Sequence, residues 1–308
     1  MNISGMASIE ERIRQEALSI GFSHCGFATC EPLDGLRARY REYLNAGDHA
    51  DMAYLERYFE KRMDPRQVLE GARSVVAVLL NYYPEELIPE ENNFIIARYA
   101  CGRDYHPVMR ERLEQLSEVL AGFGARRSKS FVDSGPVMEK EWARRCGLGW
   151  QGKNTLLINP EGGSFFFIGI ILTDLELQPD KPIGDRCGSC SLCREACPAH
   201  ALDRPYRLST GSCISYLTIE HDGEIPPEMA GRMNNRIYGC DICQDVCPFN
   251  RRAVPAKTPE FTPSERLTRM RKEGWQSLSE EDFNDIFSNT SVKRAGYKKL
   301  MRNIRSAT

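Results

Sequence analysis

Eight cysteines between residues 187 and 247 carry the strongest chemical signal in the chain. The first four read Cys187-Gly-Ser-Cys190-Ser-Leu-Cys193-Arg-Glu-Ala-Cys197-Pro198, spaced C-x2-C-x2-C-x3-C-P. Bacterial ferredoxins hold cubane clusters with this run. Three thiolates, two residues apart, wrap one cluster, and the fourth reaches a second. The other set reads Cys240-Asp-Ile-Cys243-Gln-Asp-Val-Cys247-Pro248, one thiolate short, with Cys213 upstream to supply it. The count closes on two 4Fe–4S clusters. One takes Cys187, Cys190, Cys193 and Cys247, the other Cys197, Cys213, Cys240 and Cys243. Two structural zinc sites are the alternative that paired CxxC motifs permit. They leave the third evenly spaced thiolate and both Cys-Pro endings without a reason. Two clusters in so short a segment form an electron relay.

A relay has to reduce something, and the chain before it holds few other strong motifs. No Gly-x-Gly-x-x-Gly follows a strand, and no phosphate-binding Gly-x4-Gly-Lys-Ser/Thr loop is present. Asp133 stands at the predicted end of a strand beside a Gly-Pro turn, where α/β sheets open their ligand sites; turn initiation explains it equally well. Gly147, Gly149 and Gly152 lie in WARRCGLGWQGKN and allow close backbone approach to a ligand. Arg62 reads equally as a surface residue or an anion clamp, His106 reads as a structural histidine, and His221, in the polar loop Glu220-His-Asp-Gly223, reads alone as part of a surface turn. Cys25, Cys30, Cys101 and Cys146 read as small core residues.

The elements that must position these groups follow from periodicity. Helices are predicted at Ser8–Ile20, Val108–Phe123, Met138–Arg145 and Ser291–Asn303, and strands at Ser74–Tyr82, Phe94–Tyr99, Ser128–Asp133, Thr155–Ile158 and Ser164–Thr173. This order predicts a layered α/β or α+β domain over 1–178. A Pro/Gly linker leads into a cysteine-rich module over 179–250, whose fold depends on metal. Residues 251–308 form a basic C-terminal segment. The chain has 308 residues, 41% apolar and 27% charged, which excludes disorder and coiled coil as readings of the whole. Its net charge of −2 hides an asymmetry. Residues 251–308 carry 13 basic and 7 acidic side chains, against 28 and 36 before them. No apolar run approaches the ~20 residues of a membrane span, and no secretory signal is evident. A cytoplasmic protein is expected, with thiols reduced rather than paired.

The phrases VDSGPVMEKEWARRCGLGWQGKNTLLI (132–158), CGSCSLCREACPAHAL (187–202), CISYLTIEHDGEIP (213–226) and RIYGCDICQDVCPFN (236–250) resemble the epoxyqueuosine reductases. The resemblance runs from the N-terminal helix to the basic C-terminus and includes the lone Cys213. It implies a nitroreductase-like core that holds cobalamin, with a ferredoxin-like module over it. It also implies reduction of the epoxide of epoxyqueuosine to queuosine at the wobble position of certain tRNAs. The electron donor is not identified by sequence, and a monomer is expected.

Carried onto this chain, the resemblance makes Asp133 the catalytic acid. Arg62, Ala97, Asp133, Leu157, Ile168, Ile171, Ser215, Cys240 and Asp241 would line the cobalamin. His221, Asp222 and Gly223 would touch the tRNA, and the basic segment at Lys293, Arg294, Lys298 and Lys299 becomes a phosphate footprint. An acid beside a buried corrin is expected to have its pKa raised by desolvation, which keeps its proton available for the departing oxygen. The rival readings are a cobalamin or flavin reductase of a small molecule and a ferredoxin-type carrier.

Overall fold

The computed structural model describes residues 7–308; the first six residues of the N-terminus, read above for a signal, lie outside them. Ser8 accepts the Glu11 N–H and opens helix α1 (Ile9–Ile20), and Gly21 at φ +107° closes it. Two more short helices, α2 (Asp34–Asn45) and α3 (Phe59–Met63), lead to the sheet's long strand. The strands are β1 (His24–Thr29), β2 (Ser74–Asn81), β3 (Ile95–Ile96), β4 (Ser128–Phe131), β5 (Trp150–Gln151), β6 (Leu157–Ile158), β7 (Phe166–Thr173) and β8 (Arg236–Tyr238).

The main sheet runs β1-β2-β7-β4, and every pairing in it is antiparallel. Of the two fold classes anticipated, this is α+β. It also removes the reason given for Asp133, because the rule on strand ends concerns parallel sheets. The residue is at the end of β4, but for another cause, described below.

Side chains alternate across this sheet with period two. Val76, Val78, Phe167 and Ile171 face α1 and helix α4 (Tyr105–Gly122), while Val75, Ala77, Ile170 and Leu172 face helix α5 (Glu139–Arg145) and Trp142. Helix α4 starts three residues before its predicted place. Asp104 caps it, and Pro107 sits in the first turn, where the missing N–H would have no partner anyway.

The predicted strand at 94–99 is cut to β3, which pairs in parallel with β8 rather than joining the main sheet. Around this pair lies a third core. Phe94, Ile96, Ile237 and Tyr238 pack against Trp275, Phe283, Phe287, Leu300 and Ile304. The C-terminal segment is therefore a packed layer, not a tail. Its final helix runs Gly296–Ala307 instead of 291–303, because Gly296 at φ +80° separates it from a 3-10 turn at Ser291–Arg294. Among the described residues no helix is long and apolar enough to cross a membrane.

Candidate active site

Asp133 stands in the turn after β4 with φ +56°, a left-handed conformation that Asp adopts more readily than most residues. Three groups hold it there. Tyr105 Oη donates to Oδ2 at 2.7 Å, His106 Nε2 lies 3.7 Å from the same oxygen, and the Asp133 N–H donates to Glu139 Oε1 at 2.6 Å. Its side chain is 65% exposed. The rings behind it are fixed by packing. Tyr105 stacks on Phe167 at 4.2 Å and on His106 at 4.1 Å. Asp104 sits 2.8 Å from His106 Nδ1 and accepts the His106 N–H, so the residue that caps α4 also orients the imidazole.

This arrangement reverses the pKa expected for Asp133. The His106 imidazole 3.7 Å away, with the hydrogen bond from Tyr105, holds its carboxyl below the ordinary value and outweighs desolvation. His106 moves the other way, up to about 9, through its bonds to Asp104 and Asp133. Glu139 is pushed up to about 8, chiefly by burial and then by the Asp133 charge. At neutral pH the stored protons therefore sit on His106 and Glu139, beside Asp133 rather than on it. Neither Tyr105 nor Glu139 has a sequence signal, and His106 reads there as structural. The one local hint is Asp104 immediately before a helix.

The cysteines gather as two sets. Cys187, Cys190, Cys193 and Cys247 line one cavity with Leu192 and Phe249. Lys153 Nζ closes the loop above them, donating to the carbonyls of Gly188 and Cys190 at 2.6 and 2.8 Å. Cys197, Cys213 and Cys240 border an apolar cluster containing Ile214 and Leu217, and Cys243 lies within electrostatic reach of Cys240 and Cys213. Among the described residues no three His, Cys, Asp or Glu side chains are grouped to hold a single metal ion. Cys25, Cys30, Cys101 and Cys146 are buried in the cores.

The acid and the second thiol set are joined through one loop. Lys140, next to Glu139, donates to Thr155 O at 3.1 Å, and Asn154 Nδ2 donates to Cys243 O at 3.3 Å. The three glycines of this region are required by close packing. A Cβ on Gly149 or Gly152 would meet Ile158 at 2.3 or 2.4 Å, and one on Gly147 would meet Lys181 O at 2.8 Å.

Of the residues expected around a corrin, Arg62, Ile168, Ser215 and Cys240 are half-buried. Ala97 and Leu157 are 2% and 7% exposed. The Asp241 carboxylate is committed to Arg98, whose N–H and Nη1 donate to it at 2.8 and 3.2 Å. Ile171 is fully buried under α1 and α4, on the opposite sheet face from Ile168, so a ligand that touches the Ile168 side chain could meet Ile171 only through its backbone.

The two regions expected to meet tRNA are brought together. Lys299 donates to the carbonyls of Ile219 and Glu220 at 3.0 and 3.4 Å and pairs with Asp222 at 2.8 Å; Arg302 donates to the carbonyls of His221 and Gly223. Lys299 is 15% exposed, so it braces the 219–224 loop instead of offering a free charge. Arg294 pairs with Glu220 at 2.6 Å and its charge reaches Asp133. Lys293 bonds Asn284, while Lys298 is exposed with no hydrogen bond or ion pair among the described residues.

Comparison with known proteins agrees with these features. A family model for a 4Fe-4S double cluster binding domain matches residues 186–250, and one for epoxyqueuosine reductase QueG matches 62–134. The epoxyqueuosine reductase of Leadbetterella byssophila is 45% identical, over 97% of this chain and 98% of its own. That of Escherichia coli is 35% identical, over 96% and 79%. A crystal structure of epoxyqueuosine reductase with an epoxyqueuosine-modified tRNA-Tyr stem loop superposes with a TM-score of 0.89 at 34% identity, covering 97% of this chain and 80% of that one. A Bacillus subtilis structure, described with its catalytic aspartate loop swung out of the active site, gives 0.87 at 32% identity, over 97% and 80%. Near-complete coverage by such relatives, on a chain whose cysteine module matches the double-cluster family, means that this protein belongs to the epoxyqueuosine reductases and is an iron–sulfur oxidoreductase.

Proposed function

We propose that the chain reduces the epoxide of epoxyqueuosine in the wobble position of a tRNA, with Asp133 delivering the proton, a cobalamin as the reducing cofactor and two 4Fe–4S clusters as the electron supply. One observation carries the reading: a carboxylate held out on a left-handed turn, backed by a protonated histidine, and linked through a single loop to the second thiol set. The Bacillus subtilis relative is described with a catalytic loop bearing an aspartate, which agrees with this role for the Asp133 turn.

The groups with surface to offer suit a corrin. Ile168 supplies apolar surface, and Arg62 and Ser215 supply polar groups for a macrocycle fringed with amides. Ala97, Asp133, Leu157, Cys240 and Asp241 would complete the holding set, Asp241 through its backbone. Bound there, cobalamin would supply the low-potential reducing chemistry that opens the epoxide.

The protein's own residues handle the proton. An alkoxide is a poor leaving group near neutral pH, so the departing oxygen needs an acid. Asp133 is the transfer point and His106 the store. Covering the turn with a bulky ligand strips water from Asp133, raises its pKa and draws a proton from His106 toward it. Tyr105 keeps Oδ2 in place during the exchange. Lys298, Lys293 and the 219–224 loop provide the tRNA contacts. A tRNA substrate and reduced thiols both put the protein in the cytoplasm, where it works as a monomer fed by a one-electron donor.

The test uses anaerobically prepared protein with cobalamin and a chemical reductant on an epoxyqueuosine-modified tRNA stem loop. Wild type converts it, and its visible spectrum shows corrin bands over the broad cluster absorption. Clusters without corrin bands, and no conversion, would overturn the cofactor reading.

A further inference from the structure

Residues 52–62 read MAYLERYFEKR, and the steps above use only Arg62 of them. Tyr54 sits in a 3-10 turn at Ala53–Leu55, and Tyr58 immediately precedes α3. They are 48% and 63% exposed, while every other Phe, Tyr and Trp among the described residues is buried or half-buried. Tyr58 also has φ +58°, a left-handed conformation that a bulky side chain adopts only where its surroundings impose it.

The inner side of this turn is fixed. Tyr40 Oη donates to Leu55 O at 2.7 Å, and the Tyr40 ring stacks on Phe59 at 5.8 Å. Arg62 Nη2 and Nε donate to the carbonyls of Tyr54 and Arg57 at 3.1 and 3.2 Å. The outer side keeps Tyr54, Arg57, Tyr58 and Lys61, all exposed. The two acids of the stretch are turned to partners elsewhere, Glu56 to His49 at 2.8 Å and Glu60 to Arg37 at 2.7 Å. Arg57 and Lys61 have no carboxylate partner among the described residues, and Lys61 Nζ lies 5.4 Å from the centre of the Tyr58 ring.

The turn is tied to the loop assigned above to the tRNA. The Asp51 carboxylate accepts from Tyr216 Oη at 2.6 Å and lies 3.1 Å from His221 Nδ1. The charges of Asp133 and Glu220 also reach the Tyr54 phenol. Exposed aromatic rings interleaved with unpaired cations suit single-stranded nucleic acid. Each base has a face that stacks on an aromatic ring, whatever its identity, and the cations take the phosphates between bases.

We infer that Tyr54 and Tyr58 form a stacking platform for anticodon-loop bases beside the modified one, with Arg57 and Lys61 on the adjoining phosphates. This rests on a tRNA being the substrate. The platform holds the loop by its bases while the modified base enters at Asp133, and it adds an aromatic contact to the charged ones of the C-terminal layer.

The experiment is equilibrium binding of the anaerobically prepared full chain to an epoxyqueuosine-modified stem loop. The stem loop carries 2-aminopurine next to the modified base, and iron content and thermal midpoint are measured for each variant. Tyr54→Ala and Tyr58→Ala should each weaken binding about 5- to 150-fold, the usual worth of one base–aromatic stack, with the salt dependence unchanged. Tyr54→Phe should bind as wild type does. The 2-aminopurine fluorescence, quenched on binding to wild type, should recover when Tyr54 and Tyr58 are both alanine. Lys61→Gln should instead flatten the log–log salt slope by about 0.7, the value for one contact on a single strand. Tyr58→Gly frees the left-handed position, so it should weaken binding without lowering the thermal midpoint. A midpoint that falls in Tyr58→Gly would make that ring structural and overturn its part in the platform. Wild-type binding with both alanine variants unchanged overturns the platform alone. A wild type that does not bind the stem loop overturns the tRNA reading itself.

Discussion

Around Asp133, the proton-handling groups come from three short segments, 104–106, 133 and 139, and meet at a turn open to solvent. Around Cys240, the thiols come from one stretch of chain, 187–247, and the neighbouring charges Arg236 and Asp241 are buried. The first region is assembled by the α+β core and holds its geometry through hydrogen bonds between protein groups. The second has eight thiols, little regular secondary structure and a cavity lined by four of them, Cys187, Cys190, Cys193 and Cys247. On the function proposed above, the contrast implies that protons and electrons are handled by separable machinery, joined by the 153–157 loop. Damage to either should leave the other intact, and the following tests measure how far that holds.

Asp133→Asn should lower epoxide reduction about 10²–10⁴-fold, the usual worth of a positioned acid, while iron, sulfide and corrin content stay at wild-type levels. Loss of iron in this variant would break the separation. Near wild-type turnover would make the residue a turn former only. In the reverse direction, Cys213→Ala should remove one cluster and spare the other, cutting iron by about half on the cubane count. The proton turn should survive, read as an unchanged imidazole titration of His106. Unchanged iron would show that Cys213 is not a ligand.

His106→Gln sharpens the proton side. Removing the imidazolium that faces Asp133 at 3.7 Å takes away the stored proton and should lower turnover by roughly 10²-fold, the low end of what positioned proton transfer is worth. The pH profile is the more specific readout. The histidine's pKa is raised from 6.5 to about 9 on folding, so the stability it contributes is full below pH 6.5 and is lost as pH rises through about 9. Wild-type kcat/KM should share that alkaline limb, and His106→Gln should lack it. An alkaline limb that persists in the variant would place the stored proton elsewhere, on Glu139.

The smallest effect is expected at the tRNA face. Charge-neutralising Lys293 and Lys298 should flatten the salt dependence of stem-loop binding by about 0.7–0.9 in log–log slope per lost contact, with no change in iron content. Lys299→Met should behave differently. It releases Asp222 and the Ile219 and Glu220 carbonyls, so the 219–224 loop loosens and protease sensitivity there rises. Equal behaviour of all three lysines would mean that the bracing role seen for Lys299 has no consequence.

The double-cluster module was legible in residue type and spacing, because cluster ligation makes strict local demands on a chain and few other chemistries share them. Asp133 and the helix at Ser8 were legible for the same local reason: turn and cap chemistry act over three or four residues. Tertiary structure alone decided what surrounds them. Tyr105 is 28 residues from Asp133, and Lys299 is 80 from the Ile219 carbonyl it holds. Ile168 and Ile171, three apart, face opposite cores because strand period and helix placement act together. Asp133 itself shows the limit most plainly. A carboxylate's pKa is set by the charges and hydrogen bonds that packing brings to it, and here packing brought a histidine that takes up the proton which desolvation beside a corrin had been expected to keep on Asp133.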